Sequence, residues 1–569
     1  MPLPDLDYVP TIPAVVRRAA TTFGGNDFIV MPDRRMSYAE AEVASRRVGK
    51  QLLAAGVGKG TRIGFMFPYG TDWVVAWLAT ARIGAIGMPF STSYKPAELR
   101  KALRFGDVDT LLVPSTMFGQ DHLAYVEEAV PGLVHAGPEP LRVPALPFLR
   151  HVRVSGPSDR LWAKALPLDF RLGGGTDAGR PDDGTATRTD AGTDAGSDDG
   201  VSDDGVSDEF FEAVEAEVTP SDLMMTIFTS GTTSEPKGVV HTHGNFLRHG
   251  ANLARFAGLT SESRRLCAMP FFWIGGVGLT LNLALSVGSA VLCVEKFEPD
   301  AVLDLMEAEG ATEFAVWPQL GQRMQRYISE TGRDVGKIPA FAPPPTTDYG
   351  LRHNSLGMTE TMGPHSAAGP EAERVLPEEI RGSFGLLVPC VEHRIADPET
   401  NATLGEGEVG EVCIRGYSLM NGLYKRERHE TFDEDGWYHT GDKGLIRDGY
   451  LYFHGRLSEM IKTAGSNVAP REVELLLESL PEVGLAVVVG LPDADRGEVV
   501  AAALVPATGA SIDPIETLRR AGEELSNYKV PRRVLVLDEG DVPYLANGKP
   551  DRLTVRRLLA DRATEVQWR

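Results

Sequence analysis

The chain has 569 residues and a formal net charge of −22, and 42% of its residues are hydrophobic and 24% charged, as in a globular protein with several compact units. So negative a surface repels phosphate backbones, which excludes nucleic acid as the expected partner, although local backbone N–H groups and a Mg2+ ion can still bind nucleotide phosphates. The cysteines form no CxxC pair, which predicts neither a zinc site nor a disulfide framework and favours a reducing cytoplasm. They are Cys267, Cys293, Cys390 and Cys413.

Strand and helix patterns alternate from the beginning of the chain. The opening MPLPDLDYVPTIPAVV has no basic segment and no uninterrupted apolar core, so we expect no secretory signal. Further on, RIGFMFPYG precedes TDWVVAWLATARIGA, and SAVLCV precedes FEPDAVLDLMEAEGA. The first run of each pair is typical of a buried strand and the second of an amphipathic helix. The alternation predicts an α/β fold in which parallel βαβ subdomains build a large N-terminal domain.

Residues 173–209 differ sharply in composition from the rest of the chain. They nearly lack large apolar residues and contain many glycines and aspartates. Such a segment cannot bury enough apolar surface to offset the entropy lost on ordering. We therefore predict a disordered surface insertion there.

The stretch from Leu266 to Val294 carries no charged residue and is long enough to cross a membrane. It contains Pro270, four glycines and several polar residues, however, which suit a lipid-facing helix poorly. We predict instead a buried helix, a turn near Gly288 and a strand, and no integral membrane span.

The pattern of predicted secondary structure changes twice in the last third of the chain. Between about residues 382 and 455, short β-rich runs such as EVCIRG and YLYFHG alternate with turn residues, which predicts a small antiparallel or barrel-like unit. After Arg456, helix and strand patterns such as VELLLESL and LAVVVGLPD resume. We therefore predict an N-terminal domain over 1–455 and a small α+β C-terminal domain over 456–569.

The strongest chemical signal is LMMTIFTSGTTSEPKGVVHTH. A buried strand, Leu223 to Phe228, leads into hydroxylated residues and glycine from Thr229, and Lys237 follows. Backbone N–H groups and hydroxyls in such a loop can wrap a polyphosphate. The spacing does not match GxxxxGK[ST], so this is not a Walker loop.

Four further segments carry polar groups of the kind that a nucleotide needs. NSLGMTE ends in Thr359 and Glu360, and a carboxylate beside a triphosphate is a natural Mg2+ ligand. WYHTGD with the GYLYFHGR that follows it counts as one segment: it supplies Asp442, which can accept hydrogen bonds from ribose hydroxyls, and Arg456. GRLSEMIKTAGSNVAPREVE contains Lys462 and Gly465, and NGKPDR contains Lys549. Taken singly, each of these residues is typical of an ordinary surface turn.

In this order, the five segments resemble the adenylate-forming superfamily, which comprises acyl-CoA synthetases, the adenylation domains of peptide synthetases and luciferases. The resemblance covers nearly the whole chain outside the insertion. It implies an active site between the large domain and a mobile C-terminal domain. The implied contacts with ATP are Thr229, Ser230, Gly231, Thr232, Thr233 and Lys237 on the phosphates, Thr359 and Glu360 on phosphate and Mg2+, and Asp442 and Arg456 on the ribose.

The same resemblance implies a reaction in two steps. Lys549 stabilises charge while the substrate carboxylate displaces pyrophosphate from ATP. The C-terminal domain then turns about a hinge near Ser458, which withdraws Lys549 and brings the Lys462–Gly465 face to the site. A thiol, expected to be that of coenzyme A, attacks the acyl-adenylate.

The sequence departs from the family pattern at several places. Ser458 stands where members often have Asp or Lys, and Leu356 stands where an aromatic residue often stacks on adenine. Trp273, in MPFFWIGGVG, replaces a frequent histidine, whereas its neighbours Phe271 and Phe272 are expected in the core. The adenine-binding segment is expected at FAPPPTTDYGLRH and is shortened.

The acyl substrate is predicted only as a hydrophobic carboxylic acid, fatty or otherwise. The residues expected to line its pocket are Trp273, Ile274, Gly275, Gly276, Trp317 and Ser355, the glycines leaving room for a long or bulky acid. Two alternatives to an acyl-CoA ligase stay open: an acyl-AMP ligase that loads a carrier protein, and a catalytically silent acyl- or nucleotide-binding protein. The oligomeric state also stays open, with a homodimer allowed.

Overall fold

A computed structural model describes residues 5–166, 205–229, 237–316, 318–341, 355–367, 376–463, 466–468, 470–493, 496–525, 527–545 and 549–565. No helix within these ranges is both long enough and apolar enough to cross a lipid bilayer.

The first part of the chain alternates strands and helices, as predicted. Its elements are α1 (Ile12–Phe23), β1 (Asp27–Val30), β2 (Arg35–Ser37), α2 (Tyr38–Ala54), β3 (Arg62–Phe65), α3 (Thr71–Arg82), β4 (Ile86–Pro89), α4 (Pro96–Phe105), β5 (Thr110–Pro114), β6 (Thr116–Met117), β7 (Gln120–Asp121), α5 (His122–Ala129), β8 (His151–Ser155) and β9 (Lys164–Ala165). Helix α3 is buried on almost every side because sheet strands and other helices surround it.

The second part contains the uncharged stretch. Its elements are α6 (Asp208–Ala216), β10 (Leu223–Thr229), β11 (Lys237–Thr242), α7 (His243–Phe256), β12 (Arg264–Cys267), α8 (Ile274–Gly276), α9 (Asn282–Val287), β13 (Ala290–Leu292), α10 (Pro299–Ala308), β14 (Glu313–Ala315) and α11 (Pro318–Thr331). A π-helical turn, Val277–Leu281, joins α8 to α9. The predicted buried helix, the turn at Gly288 (φ +78°) and the following strand are confirmed.

The predicted end of the disordered insertion at residue 209 is wrong. Ser207 accepts a hydrogen bond from the Phe210 N–H and starts α6, so Asp208 and Glu209 already belong to the helix. Asp208 also forms ion pairs with Arg46 and Lys50 of α2. The capping serine and these cations order the segment despite its aspartates. Residues 167–204 lie outside the described ranges.

The third part consists of short strands. They are β15 (Leu356–Met358), β16 (Gly363–Ala367), β17 (Leu386–Leu387), β18 (Val391–Ala396), β19 (Gly410–Gly416), β20 (Gly422–Leu423), β21 (Tyr438–Arg447) and β22 (Tyr450–Arg456). Apart from β20, they form one antiparallel sheet in the order β15-β16-β17-β22-β21-β19-β18. The predicted antiparallel unit is confirmed.

The last part has a sheet and cores of its own. Its elements are β23 (Ile461–Thr463), β24 (Ser466–Val468), α12 (Pro470–Ser479), β25 (Val483–Asp493), β26 (Gly497–Pro506), α13 (Pro514–Glu524), β27 (Arg533–Val536), α14 (Arg552–Arg562) and β28 (Thr564–Glu565). Separate hydrophobic clusters lie on the two faces of this sheet, one beside α12 and α13 and the other beside α14. An exposed ion pair between Arg326 of α11 and Glu539 connects this part to the second part of the chain.

Two further sheets hold the first two parts together. One has the order β14-β12-β13-β1-β2, parallel except for the β1–β2 edge. The other has the order β20-β11-β10-β4-β3-β5-β8-β9. In the second sheet β10 lies parallel to β4 and antiparallel to β11, so the segment rich in hydroxyls follows the carboxyl end of a parallel strand. Ligands of open α/β sheets commonly bind at such ends.

Candidate active site

The predicted phosphate loop lies inside a β-hairpin. Thr229, at the end of β10, pairs with Lys237, at the start of β11, and the Thr229 Oγ1 donates a hydrogen bond of 3.4 Å to the Lys237 carbonyl. The loop between them, including Ser230, Gly231, Thr232 and Thr233, lies outside the described residues. The phosphate contacts assigned to it stay a prediction.

The Lys237 ammonium belongs to a three-residue cluster with Glu360 and Tyr438. Lys237 forms a hydrogen-bonded ion pair with Glu360 Oε1 and donates to the Tyr438 hydroxyl at 3.2 Å. That hydroxyl donates in turn to Glu360 Oε1, also at 3.2 Å. The structure thus joins three of the predicted segments. Tyr438 had no predicted role, although it stands inside WYHTGD.

The Glu360 carboxylate is buried and charged. Burial alone would raise its pKa, but the Lys237 ammonium and hydrogen bonds from Lys237 and Tyr438 outweigh it, so the pKa lies below its usual range. An ionised carboxylate beside a phosphate loop fits the oxygen ligands that Mg2+ prefers. Lys237 neutralises this carboxylate.

Thr359 and Glu360 lie on one tight turn. The turn, Thr359–Thr361, connects β15 to β16 and ends at Met362, whose φ of +59° is left-handed. The Met420 N–H donates to the Glu360 carbonyl at 2.8 Å, and the Thr361 hydroxyl donates to the Gly363 carbonyl at 2.6 Å. The turn presents the Thr359 hydroxyl and the Glu360 carboxylate from adjacent positions.

Asp442 and Arg456 face each other across the antiparallel strands β21 and β22. The Arg456 Nε lies 2.7 Å from Asp442 Oδ1, and the Arg456 Nη1 donates to the Thr440 carbonyl at 2.8 Å. The Nε contact is an ion pair that is misaligned as a hydrogen bond. Neither carboxylate oxygen of Asp442, which is only 1% exposed, has a hydrogen-bond donor among the described residues.

A buried carboxylate without donors points to a ligand that supplies them. Burial raises the pKa of Asp442 to about 6, and the positive charges of Arg456 and Lys549 oppose that rise. Two adjacent hydroxyls, such as those of a ribose, would satisfy both oxygens. Lys549 is therefore one of two cations whose charge favours the ionised form of this carboxylate.

Glu411 of β19 fixes the backbone that carries Asp442. Its Oε2 lies 2.7 Å from His439 Nδ1, and its Oε1 accepts the Gly441 N–H at 2.9 Å. The Cys413 Sγ lies 3.5 Å from the same His439 nitrogen. Although a glutamate, a cysteine and a histidine can form a metal site, these atoms already contact one another and the strand. The cluster holds the His439–Asp442 segment.

A cavity of about 440 Å³ lies beside Lys237 and Tyr438. Its lining residues are Lys237, Leu423, His429, Glu430, Thr431, Phe432, Asp433, Tyr438 and His439. The cavity therefore reaches the Lys237–Glu360–Tyr438 cluster from the side of the 429–433 segment.

The predicted thiol-step residues are described only in part. Lys462 lies in β23 and pairs with Asn467 of β24, but its side chain and Gly465 lie outside the described residues. Ser458 lies in the short turn Leu457–Glu459, where the chain passes from the antiparallel sheet to the C-terminal sheet. The roles assigned to these residues stay predictions.

The predicted acyl-pocket residues lie at the start of α8 and next to β15. Phe271 and Phe272 are buried, as predicted, whereas Trp273 is partly exposed and caps α8. Ser355 is exposed beside Leu356, which packs on the edge of the main core. Trp317 lies outside the described residues.

The two pocket glycines border protein rather than open space. A Cβ on Gly276 would lie 2.2 Å from the Pro270 carbonyl oxygen, and one on Gly275 would lie 2.7 Å from Met269 Sδ. Gly276 lets α8 approach the preceding backbone closely, and Gly275 leaves room for the Met269 side chain. The positions that a Cβ on either glycine would occupy therefore provide no space for a bulky acid.

Comparisons with known proteins match this arrangement. A family profile described as AMP-binding enzyme matches residues 16–424, and one described as AMP-binding enzyme C-terminal domain matches residues 472–549. A CoA ligase of Mycobacterium tuberculosis, named for a methyl-dioxo-octahydro-indenyl propanoyl group, is 29% identical over 565 residues, which cover 96% of this chain and 99% of that protein. An indoleacetate–CoA ligase of Aromatoleum aromaticum is 26% identical over 548 residues, which cover 94% of this chain and 96% of the relative.

Among solved structures, ATP-bound MatB from Rhodopseudomonas palustris has a TM-score of 0.71 and 23% sequence identity, with 97% of this chain and 99% of that chain covered. This likeness establishes the α/β fold with its small C-terminal domain.

Proposed function

The chain belongs to the AMP-binding enzyme family, within the adenylate-forming superfamily, and is an AMP-forming acyl-CoA synthetase; from this premise we propose that it activates a hydrophobic carboxylic acid. ATP and the acid give acyl-AMP and pyrophosphate, and coenzyme A then takes the acyl group as a thioester and releases AMP. The names of the two relatives above each combine a bicyclic ring system with a short acid chain, which supports a hydrophobic acid here.

The observation that carries the proposal is the donor-free carboxylate of Asp442 beside the Lys237–Glu360 pair. We assign Asp442 and Arg456 to the ribose, and Thr229, the loop after it and Lys237 to the phosphates. Glu360 would hold Mg2+, which supplies charge neutralisation at the phosphates. The Thr359 hydroxyl lies next to it on the same turn.

Domain alternation is part of the proposal. The positive charge of Lys549 opposes the rise in the pKa of Asp442, which supports a role for Lys549 in adenylation. Rotation about Ser458 would remove Lys549 and present Lys462 and Gly465 to the thiol. Leu356 would contact adenine through apolar packing. We place the reaction in the cytoplasm, consistent with four free thiols.

The test is release of pyrophosphate from Mg-ATP with a panel of acids that includes fatty, bicyclic and aromatic members, with and without coenzyme A. Acid-dependent release that turns over faster with coenzyme A is the expected result. If coenzyme A has no effect on pyrophosphate release but an acyl carrier protein accelerates it, the acyl acceptor is the carrier protein rather than coenzyme A. A protein that binds Mg-ATP and an acid, yet releases no pyrophosphate from any pair, would be a silent binding protein.

A further inference from the structure

A buried histidine contacts the turn that carries Thr359 and Glu360. His241 lies in β11 and is fully buried. Its Nε2 lies 2.9 Å from the Thr359 carbonyl oxygen, and its Nδ1 lies 3.1 Å from Asn245 Nδ2. His241 is part of the predicted phosphate-loop segment, as the first histidine of VVHTH, but the sequence alone predicts neither contact.

Neighbouring hydrogen bonds determine which imidazole nitrogen carries the proton. Asn245 Oδ1 accepts from the Thr242 N–H at 2.8 Å and from its hydroxyl at 3.1 Å, so the Asn245 amide nitrogen must face His241. That nitrogen donates to the Leu419 carbonyl at 2.8 Å and, with its other hydrogen, to His241 Nδ1. The His241 Nε2 therefore carries the hydrogen and donates it to the Thr359 carbonyl.

The same chain of bonds supports the turn from two sides. His241 holds the Thr359 carbonyl from β11, and the Met420 N–H holds the Glu360 carbonyl. Asn245 connects these supports because it bonds both His241 and the Leu419 carbonyl, one residue before Met420. The position of the turn is thus tied to the hairpin strand that also carries Lys237.

We propose that His241 is a positioning residue for adenylation, which fixes the Thr359–Glu360 turn relative to Lys237 so that hydroxyl, carboxylate and ammonium meet Mg-ATP together. The inference rests on the proposed function of this site. His241 itself contacts neither nucleotide nor acid. Its removal is expected to weaken Mg-dependent nucleotide binding more than it weakens the thiol step.

The test uses His241→Leu and His241→Gln in the full chain. Leucine removes the donor, whereas the glutamine amide reaches the Nε2 position and retains it. Calorimetric titration with Mg2+ and a non-hydrolysable ATP analogue should give a Kd about tenfold higher for His241→Leu, because a buried carbonyl loses its donor, and a Kd within about threefold of wild type for His241→Gln. Formation of acyl-CoA from supplied acyl-AMP should change less than about twofold in either variant.

His249→Leu is the matched control. His249 is equally buried in α7, with Nε2 3.0 Å from the Pro364 carbonyl and Nδ1 3.1 Å from the Tyr417 hydroxyl, but it does not contact the turn. Its loss should lower the melting temperature about as much as His241→Leu does and leave the nucleotide Kd unchanged. Equal loss of nucleotide affinity in the two leucine variants would reduce His241 to a structural residue.

The outcomes separate this inference from the proposed function. A nucleotide Kd in His241→Leu equal to that of the wild type would overturn the positioning role. The proposed ligase function would still stand if the wild-type protein releases pyrophosphate with an acid. A raised Kd in His241→Leu, rescued in His241→Gln, would support the role even if no acid in the panel were activated.

Discussion

The candidate site contains two buried carboxylates, which differ in their hydrogen-bond partners and in the direction of their pKa shifts. Glu360 has a cation and a hydroxyl on its Oε1, and its pKa is lowered. Asp442 has an ion pair with Arg456 but no aligned donor on either oxygen, and burial raises its pKa to about 6. The first is stabilised by the protein's own hydrogen bonds, whereas the second has acceptor oxygens that a ligand could hydrogen-bond.

The difference indicates a division of labour in nucleotide binding. A metal at Glu360 has to compete with Lys237, so binding there is an exchange of cations. Hydroxyls at Asp442 would find the Arg456 ion pair but no hydrogen bond to displace among the described residues, and their own hydrogen bonds would satisfy the carboxylate oxygens. We therefore expect substitutions at the two carboxylates to change protein stability in opposite directions.

The largest effect should come from Lys549, which the proposed cycle assigns to the reacting phosphate rather than to either carboxylate. Lys549→Ala should lower the rate of adenylate formation at least about 100-fold and leave thioester formation from supplied acyl-AMP within about twofold. Lys462→Ala should show the reverse pattern. The two half-reactions are measured separately, by pyrophosphate exchange and by thioester formation.

Lys337→Ala is the control for these variants, because Lys337 is an exposed lysine whose nearest carboxylate partner, Glu307, lies 3.8 Å away. It should leave both half-reactions unchanged. Equal loss of both half-reactions in Lys549→Ala and Lys462→Ala would contradict the two-conformation cycle.

Asp442→Asn should separate stability from binding. The pKa of Asp442 is raised in the folded state, so its ionisation opposes folding above about pH 6 and has no effect below about pH 4. Asparagine removes this penalty and should raise the free energy of unfolding near pH 8 by about 2 to 3 kcal/mol. The Kd for ATP should rise about 30-fold, since one acceptor becomes a donor. Denaturant unfolding and calorimetry measure the two effects, and a destabilised variant would contradict the account.

Glu360→Gln should act in the opposite direction on stability. The pKa of Glu360 is lowered by Lys237, so its carboxylate stabilises the fold above its ordinary pKa, and that contribution is lost as the pH falls through the folded-state value. The substitution should lower the free energy of unfolding by about 1 kcal/mol at neutral pH and raise the Mg2+ concentration needed for half-maximal pyrophosphate release. An unchanged Mg2+ requirement would remove Glu360 from the metal site.

The smallest effect concerns pH. Ribose hydroxyls need the ionised form of Asp442, which is lost as the pH falls through about 6. The Kd for adenosine, which does not itself titrate in this range, should rise about fourfold between pH 8 and about pH 5.5. The profile of Asp442→Asn should be flat. A rise of equal size in that variant would assign the titration to another group.

The sequence predicts the elements around the site better than their registers. Leu223–Phe228 was recognised as the strand before the phosphate loop, and β10 covers it. Asp442 and Arg456 were both identified, but in separate runs of one segment and with no contact between them. The hairpin turn at Asp448 and Gly449 pairs Arg447 with Tyr450, and simple counting from there places Gly455 opposite Asp442.

A β-bulge at His454 shifts the register by one residue and brings Arg456 opposite Asp442 instead. Gly455, which follows the bulge with a φ of +111°, is a sequence sign of it, but a strand glycine alone does not specify a register shift. His241 was missed for a similar reason, because its partner Thr359 is 118 residues away in the chain. The pocket glycines show a related point, since a missing side chain indicates space only when no neighbouring backbone or side chain fills it.

The ion pair between Arg326 and Glu539 makes the contact between α11 and the C-terminal part sensitive to the salt concentration. Its side chains are 37% and 46% exposed, so their attraction is at most about 1 kcal/mol and weakens as dissolved salt screens it. In the proposed cycle this contact favours the arrangement in which Lys549 lies near Asp442. The ionic strength should therefore shift the equilibrium between the two conformations of the cycle. Low salt should raise the population of the adenylating conformation, and high salt should lower it.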